Sequence, residues 1–333
     1  MKQITHKEKI FIAGARGMAG SAIYKSLKKY GYGIRENGGQ LLTPTRNELN
    51  LLDTVAVSKW FKKNKPTITI LAAAKVGGIL ANTKQPADFL LENLKIQTNV
   101  IEASWKSEVK RFLFLGSSCI YPKLAPQPIQ EDYLLKSSLE PTNEWYAIAK
   151  IAGIKLCESL RIQYGFDAIS LMPTNLYGPG DNYHSTHSHV MASLIKKFCI
   201  ATKQNSPVVN CWGTGSPLRE FLHVDDLGEA VVFALENWSP DTQNAPLNNE
   251  GKPLYILNVG TGKDISISEL SKKIARSSGF KGEILWDLTK PDGTPKKQLD
   301  CRRINKMGWK PTVDLDDGIN KTVSSFMKSL DSN

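Results

Sequence analysis

Short apolar runs recur through the first half of the chain, and each gives way to a stretch with apolar residues three and four apart. Lys9-Ile-Phe-Ile-Ala13, Ile68-Thr-Ile-Leu71 and Phe112-Leu-Phe-Leu115 have strand length and enough apolar character to be buried on both faces. Segments at 40–43 and 166–171 continue the series. Between them, 21–29, 53–63, 88–104 and the stretch through Tyr146 to about 164 read as helices, with Asp53 a candidate N-cap. Strand and helix alternating at this pace predict an α/β fold: a Rossmann-type, doubly wound parallel sheet. The segment 30–39, rich in glycine, reads as a surface loop.

The second half is patterned less regularly. Helices are expected at 190–202, 227–235 and 266–278, the last opened by a Ser266–Glu269 capping box. A strand is expected at 255–259, after a polar, Pro- and Asn-rich loop over 237–252. Asp225 and Asp226 read as a structural helix start. The predicted organisation is a nucleotide-binding Rossmann domain over 1–176, with segments near 210–235 and 254–262 returning to it. A smaller, mixed substrate region occupies most of 177–330.

Composition narrows the classes. The chain has 333 residues, 41% of them hydrophobic, which is ordinary globular content with length for a large core. The longest apolar run, near 68–74, is far short of the ~20 residues that span a bilayer, so no membrane segment is expected. No leader pattern precedes the first strand. The five cysteines are scattered and odd in number, which points to reduced thiols and a cytoplasmic setting. A net charge of +11 suits solubility and attraction of nucleotide diphosphates. Lys and Arg are spread along the chain with no basic block interleaved with aromatics, so nucleic acid is not an expected partner.

Candidate chemistry sits at the strand ends. Gly14-Ala15-Arg16-Gly17-Met18-Ala19-Gly20 follows the first strand and opens a helix. Such glycines let the backbone approach a pyrophosphate, and the helix start supplies N–H groups and positive dipole. After the second strand no acid appears until Glu48, whereas Arg16 and Arg46 can grip a 2′-phosphate, so NADP is expected over NAD. Ser117 and Cys119 follow the fourth strand, where ligands bind in open α/β sheets. Tyr146 and Lys150, four apart, share a helix face; an ammonium nearby would lower the phenol's pKa from its usual value of about 10. Three of the five histidines crowd the loop at 184–189, without the cysteine or carboxylate pattern of a metal site, so no metal is expected.

Together these motifs resemble the extended short-chain dehydrogenase/reductases that act on nucleotide sugars. Longer strings resemble the GDP-L-fucose synthase family: Ala72-Ala-Ala-Lys-Val-Gly-Gly78, Gly116-Ser-Ser-Cys-Ile-Tyr-Pro-Lys123, Glu140-Pro-Thr-Asn-Glu144 and Arg219-Glu-Phe-Leu-His-Val-Asp-Asp226. So do Pro173-Thr-Asn-Leu-Tyr-Gly178 and Lys290-Pro-Asp-Gly-Thr-Pro295, and the likeness spans residues 9–330. The resemblance implies a two-stage reaction on GDP-4-keto-6-deoxy-D-mannose: epimerisation at C3 and C5, then reduction of the C4 ketone by NADPH. It implies Cys119 and His189 as the acid/base pair, and Ser117 and Tyr146 at the C4 oxygen. Lys150 would tune Tyr146 and bind the nicotinamide ribose, with Pro173, Thr174, Asn175 and Leu176 over the nicotinamide and His189 also near the cofactor. Trp212, Arg219 and Asp292 are implied substrate contacts. Lys197 stands where relatives carry an arginine facing the diphosphate, so it keeps the charge but loses the bidentate fork. A homodimer is implied as well, through the Tyr146 helix and the 88–104 helix.

Overall fold

The structure, a computed structural model, describes residues 2–184, 188–290 and 292–331. The chain opens with β1 (Lys9–Ala13), buried from Ile10 onward. Helix α1 (Met18–Lys29) starts three residues before the apolar pattern suggests, because Gly17 already serves as its N-cap. Gly20 makes this possible: a Cβ there would lie 2.0 Å from the Gly14 carbonyl oxygen. Then come β2 (Gln40–Leu42), α2 (Thr54–Asn64), β3 (Ile68–Leu71), the short α3 (Ile79–Lys84), α4 (Pro86–Lys106) and β4 (Arg111–Leu115). Asp53 caps α2 as its sequence predicts, accepting from the Ala56 amide at 2.9 Å. Helix α5 (Glu144–Tyr164) and β5 (Ala168–Pro173) complete the regular part. β5 begins two residues late, since Gly165 in the left-handed region ends α5 and Phe166 is still turning.

Beyond β5 the chain leaves the main sheet. It forms β6 (Asn175–Tyr177), α6 (Val190–Lys203), β7 (Val208–Trp212), β8 (Leu218–His223) and α7 (Val224–Asn237). After these come β9 (Ile256–Val259), β10 (Asp264–Ser266), α8 (Ile267–Ser278), β11 (Glu283–Asp287), β12 (Lys296–Lys297), α9 (Arg302–Lys306) and α10 (Leu315–Asp331). The Ser266–Glu269 capping box is present at the start of α8.

The main sheet has the order β2-β1-β3-β4-β5-β9, with every pair parallel. The direction of winding reverses between β1 and β3, and a crevice opens outside the carboxyl ends of those strands. The strands of the expected return at 210–235 do not join this sheet. β9 takes the free edge of β5, so β7 pairs β11, and β8 pairs β6, β10 and β12 in a smaller mixed sheet. Only α7 of that segment packs back, against α1. A second apolar core, including Phe198, Ile274 and Phe326, lies among α6, α8 and α10.

Two further readings need correction. The 30–39 segment is not a bare surface loop: Gly31 and Gly33 turn Tyr32 inward, fully buried, with its phenol donating to Glu236 at 2.6 Å. The start of α7 is capped by His223 Nδ1, which accepts from the Asp225 amide at 3.2 Å. Asp226 reaches away instead, accepting from the Thr312 and Val313 amides at 2.9 and 3.0 Å, and so pins the segment before α10.

Candidate active site

One cavity of about 1300 Å³ runs from the glycine turn, over the carboxyl ends of β1 and β3, to α6 and β8. That exceeds the ~300–1,000 Å³ of an ordinary single-ligand pocket, so it has room for a dinucleotide and a second nucleotide. Every candidate site residue named from the sequence lines it except Lys150.

At one end, Gly14 adopts φ 87°, and a Cβ on it would meet the Ala73 backbone at 2.8 Å. The turn therefore presses against the end of β3 and leaves the N-terminus of α1 facing the cavity, a cradle that fits a pyrophosphate. Arg16 and Arg46 line the same end and are solvent-exposed. Glu48 is turned away onto Thr45, accepting from its amide at 2.7 Å. That bond, the Thr45 hydroxyl and the Arg16 charge hold its carboxyl below the usual range. Thr174 and Asn175 form the corner between β5 and β6: the Asn175 amide donates to the Glu220 carbonyl at 2.8 Å and fixes the corner against β8.

In the middle, the turn that follows β4 carries Ser117, whose hydroxyl accepts from the Cys119 amide at 3.2 Å. Buttressing comes from below: Tyr121 donates to Asn258 at 2.6 Å, and buried Glu131 accepts from the Asn258 amide at 2.9 Å and from Arg303 at 2.5 Å. Tyr146 sits on the first turn of α5, facing Ser117 and Cys119. Lys150 lies behind it, buried, donating to the Leu115 carbonyl at 2.7 Å, with its ammonium 4.7 Å from the Phe114 ring centre and 5.9 Å from that of Tyr146.

The electrostatics of this pair differ from the sequence expectation. Burial pulls Lys150 down to about 7. Tyr146 is pushed up, by burial first and then by Cys119, with Ser117 opposing. Desolvation disfavours both charged forms and outweighs any ammonium effect on the phenol. Tyr146 is thus a neutral hydroxyl at pH 7, suited to giving a proton. His189, at the start of α6, has open surface towards the cavity, yet enough protein surrounds it that desolvation lowers its pKa. Its imidazole is neutral at pH 7 and can accept a proton. His187 lies outside the described residues.

At the far end, Lys197 donates to the Asn210 carbonyl at 2.8 Å. The Trp212 ring, largely exposed, has Lys197 and Lys290 at 5.7 and 5.8 Å from its centre. Arg219 is fixed by its bond to the Leu218 carbonyl at 2.8 Å. Asp292 accepts from the Thr214 amide at 3.0 Å and hydroxyl at 2.7 Å, clasping two loops over the cavity mouth.

Sequence reading missed three wall residues. Lys75 is held by Glu92 at 2.7 Å and Asp88 at 3.3 Å. Glu140 pairs with Lys123 at 3.2 Å and accepts from Thr294 at 3.2 Å. Lys297 approaches Cys119, its ammonium 3.7 Å from the sulfur. A signal for Lys297 existed: two lysines after Pro295 in a strand must point to opposite faces, so one points in. Among the described residues no cluster of His, Cys, Asp or Glu could hold a metal ion.

Residues 10–248 match the family described as NAD dependent epimerase/dehydratase. The chain is 51% identical over 322 residues to GDP-L-fucose synthase 1 of Arabidopsis thaliana, covering 97% of this chain and 94% of the relative. It is 50% identical over 325 residues to the GDP-L-fucose synthase of Escherichia coli strain K12, covering 98% of each. Among solved structures, the GDP-mannoheptose C4 reductase from Campylobacter jejuni with NADP bound is similar at TM-score 0.83 and 34% identity, covering 97% of this chain and 99% of that one.

Proposed function

The chain belongs to the NAD dependent epimerase/dehydratase family, and from that premise we propose that it converts GDP-4-keto-6-deoxy-D-mannose to GDP-L-fucose, by 3,5-epimerisation followed by NADPH-dependent 4-reduction. The observation that carries this reading is the company in one cavity: Ser117, Cys119, Tyr146 and His189 line its wall together with the glycine turn. About half of all positions are identical to GDP-L-fucose synthases of a plant and a bacterium, over nearly the whole length.

The chemistry follows from the groups present. A C4 ketone acidifies the hydrogens on C3 and C5. Neutral His189 takes one, Ser117 and Tyr146 stabilise the enolate oxygen, and Cys119 returns a proton to the opposite face. When bound, NADPH supplies the hydride for C4. Tyr146, kept protonated by burial, gives the C4 oxygen its proton. Arg219 and Lys197 bind the diphosphate, and Trp212 offers its exposed face to the nucleotide. NADP rather than NAD is supported by Arg16 and Arg46 at the cavity end and by Glu48 turning away from the cavity onto Thr45. The protein works as a homodimer in the cytoplasm on this reading; the exposed apolar face of α4 and α5 supports the dimer.

Incubation with GDP-4-keto-6-deoxy-D-mannose and NADPH in deuterated water tests the proposal. Deuterium at C3 and C5 with NADPH oxidation is the expected outcome. Cys119→Ser lowers the exchange at least tenfold, while Tyr146→Phe chiefly suppresses reduction, by about 10²–10⁴ for loss of a general acid. NADPH oxidation with no deuterium incorporated makes the protein a plain ketoreductase and ends the epimerase assignment.

A further inference from the structure

We propose that Lys297 is a positioning residue for Cys119: its ammonium holds the sulfur in its anionic form whenever the proton has left. The inference rests on the acid/base role of Cys119 in the reaction above, and it concerns a residue which that reading leaves unused.

Strand geometry places the lysine. In β12, Lys296 and Lys297 point to opposite faces. Lys296 goes to Asp264, at 3.0 Å. Lys297 goes into the cavity and donates to Cys119 Sγ at 3.7 Å, within range for a sulfur acceptor. Among the described residues Lys297 makes no ion pair, so its charge is not spent on a carboxylate. The backbone of β12 is held in register against β8, with Lys297 opposite Arg219. Other groups facing the sulfur are Tyr146 from α5 and Arg219 from β8. Glu140 and Asp292 lie beyond Arg219 and act on its charge, and His189 lines the cavity wall. No acid stands between the thiol and the lysine.

The contrast with the remaining cysteines is informative. Cys157, Cys199, Cys211 and Cys301 are buried, and burial raises each of their pKa values. Cys119 is the partly exposed one, with a cation at hand, the environment in which thiolates form.

Proton balance shows why a held thiolate is needed. His189 removes the proton at the first carbon and becomes imidazolium, leaving the enolate. Cys119 gives its proton to the opposite face and becomes thiolate. In a 4-keto-D-mannosyl ring the hydrogens on C3 and C5 lie on the same face, so His189 takes the second proton as well and Cys119 again donates from the opposite face, once imidazolium and thiolate have been reset by proton exchange with water. From each donation until that reset the sulfur is anionic, and Lys297 is the cation in contact with it.

The test needs no substrate. The folded protein is alkylated with iodoacetamide between pH 5 and 10, and modification of Cys119 is read by mass spectrometry. Lys297→Met and Lys297→Gln are expected to raise the midpoint pH of alkylation by at least one unit, and Lys297→Arg to restore at least half of that shift. Lys296→Met, which removes the outward neighbour, leaves the midpoint in place. Two uncharged variants guard against one that fails to fold. An unchanged midpoint in the uncharged variants overturns the proposal, even if the parent epimerises its ketosugar. A shifted midpoint in a protein that does not turn over the ketosugar upholds the Lys297–Cys119 pairing and removes only the assigned reaction.

Discussion

Lys150 shows how burial governs single residues here. The sequence places it one helical turn from Tyr146, and the simple expectation is an ammonium that acidifies a phenol. In the folded protein its ammonium is enclosed by Phe114, Tyr146 and the Leu115 carbonyl, and its pKa falls to about 7 from 10.5. The stability consequence has a definite sign. Between pH 7 and 10.5 the unfolded chain keeps the Lys150 proton while the folded chain tends to lose it, so the penalty for burying it shrinks as pH rises. Below pH 7 the penalty is full. Lys150→Met also orphans the Leu115 carbonyl, which costs about 1–3 kcal/mol at any pH. The stability of the variant relative to the parent is therefore expected to fall steadily from pH 7 to 10, as followed by urea unfolding. A difference independent of pH would mean that the lysine is not desolvated. The same desolvation keeps Tyr146 protonated and His189 neutral, so the proton donor and acceptor are set by environment more than by partner charges.

Among the elements, α5 is the one on which the site most depends, because it carries Tyr146 and Lys150 against the end of β4. Its docking rests on a missing side chain. A Cβ on Gly153 would lie 2.7 Å from the Phe114 ring and 2.9 Å from the Gln97 amide. Gln97 meanwhile donates to the Ala149 carbonyl at 2.5 Å, tying α4 to the same turn. Gly153→Val is expected to destabilise the protein by roughly 1–3 kcal/mol through overpacking, read from the denaturant midpoint. It should also lower the reduction rate more than NADPH binding, because Tyr146 is displaced while the glycine cradle is untouched. Equal stability of variant and parent would show that α5 does not depend on this contact. The helix itself was legible from its apolar spacing. The glycine's purpose was not, since nothing local marks which residue α5 must press against.

For the whole molecule, α5 and its neighbour α4 leave a set of exposed apolar side chains that a second copy can cover. Leu91, Trp145, Ile148 and Ile162 are exposed, and on α5 they fall at helical spacing along one stripe. A second copy covering this stripe gives a dimer of twice the 36.9 kDa chain mass by light scattering. Ile162→Glu, at a position 70% exposed and so harmless to the single chain, is expected to shift the mass towards the monomer. A parent that runs as a monomer ends the dimer proposal. The local signals in the chain determined the alternating strands and helices, the glycine turn and the caps at Asp53 and Ser266, because each depends on neighbours within a few residues. They determined the candidate chemistry at Ser117, Cys119, Tyr146 and His189 only as a set of residue types. Which strands share a sheet, that Glu48 turns from the cavity, and that Lys297 meets Cys119 across 178 positions were decided by tertiary structure. Those contacts join segments far apart in the chain, and side-chain spacing along a strand or helix carries no record of what will pack against it.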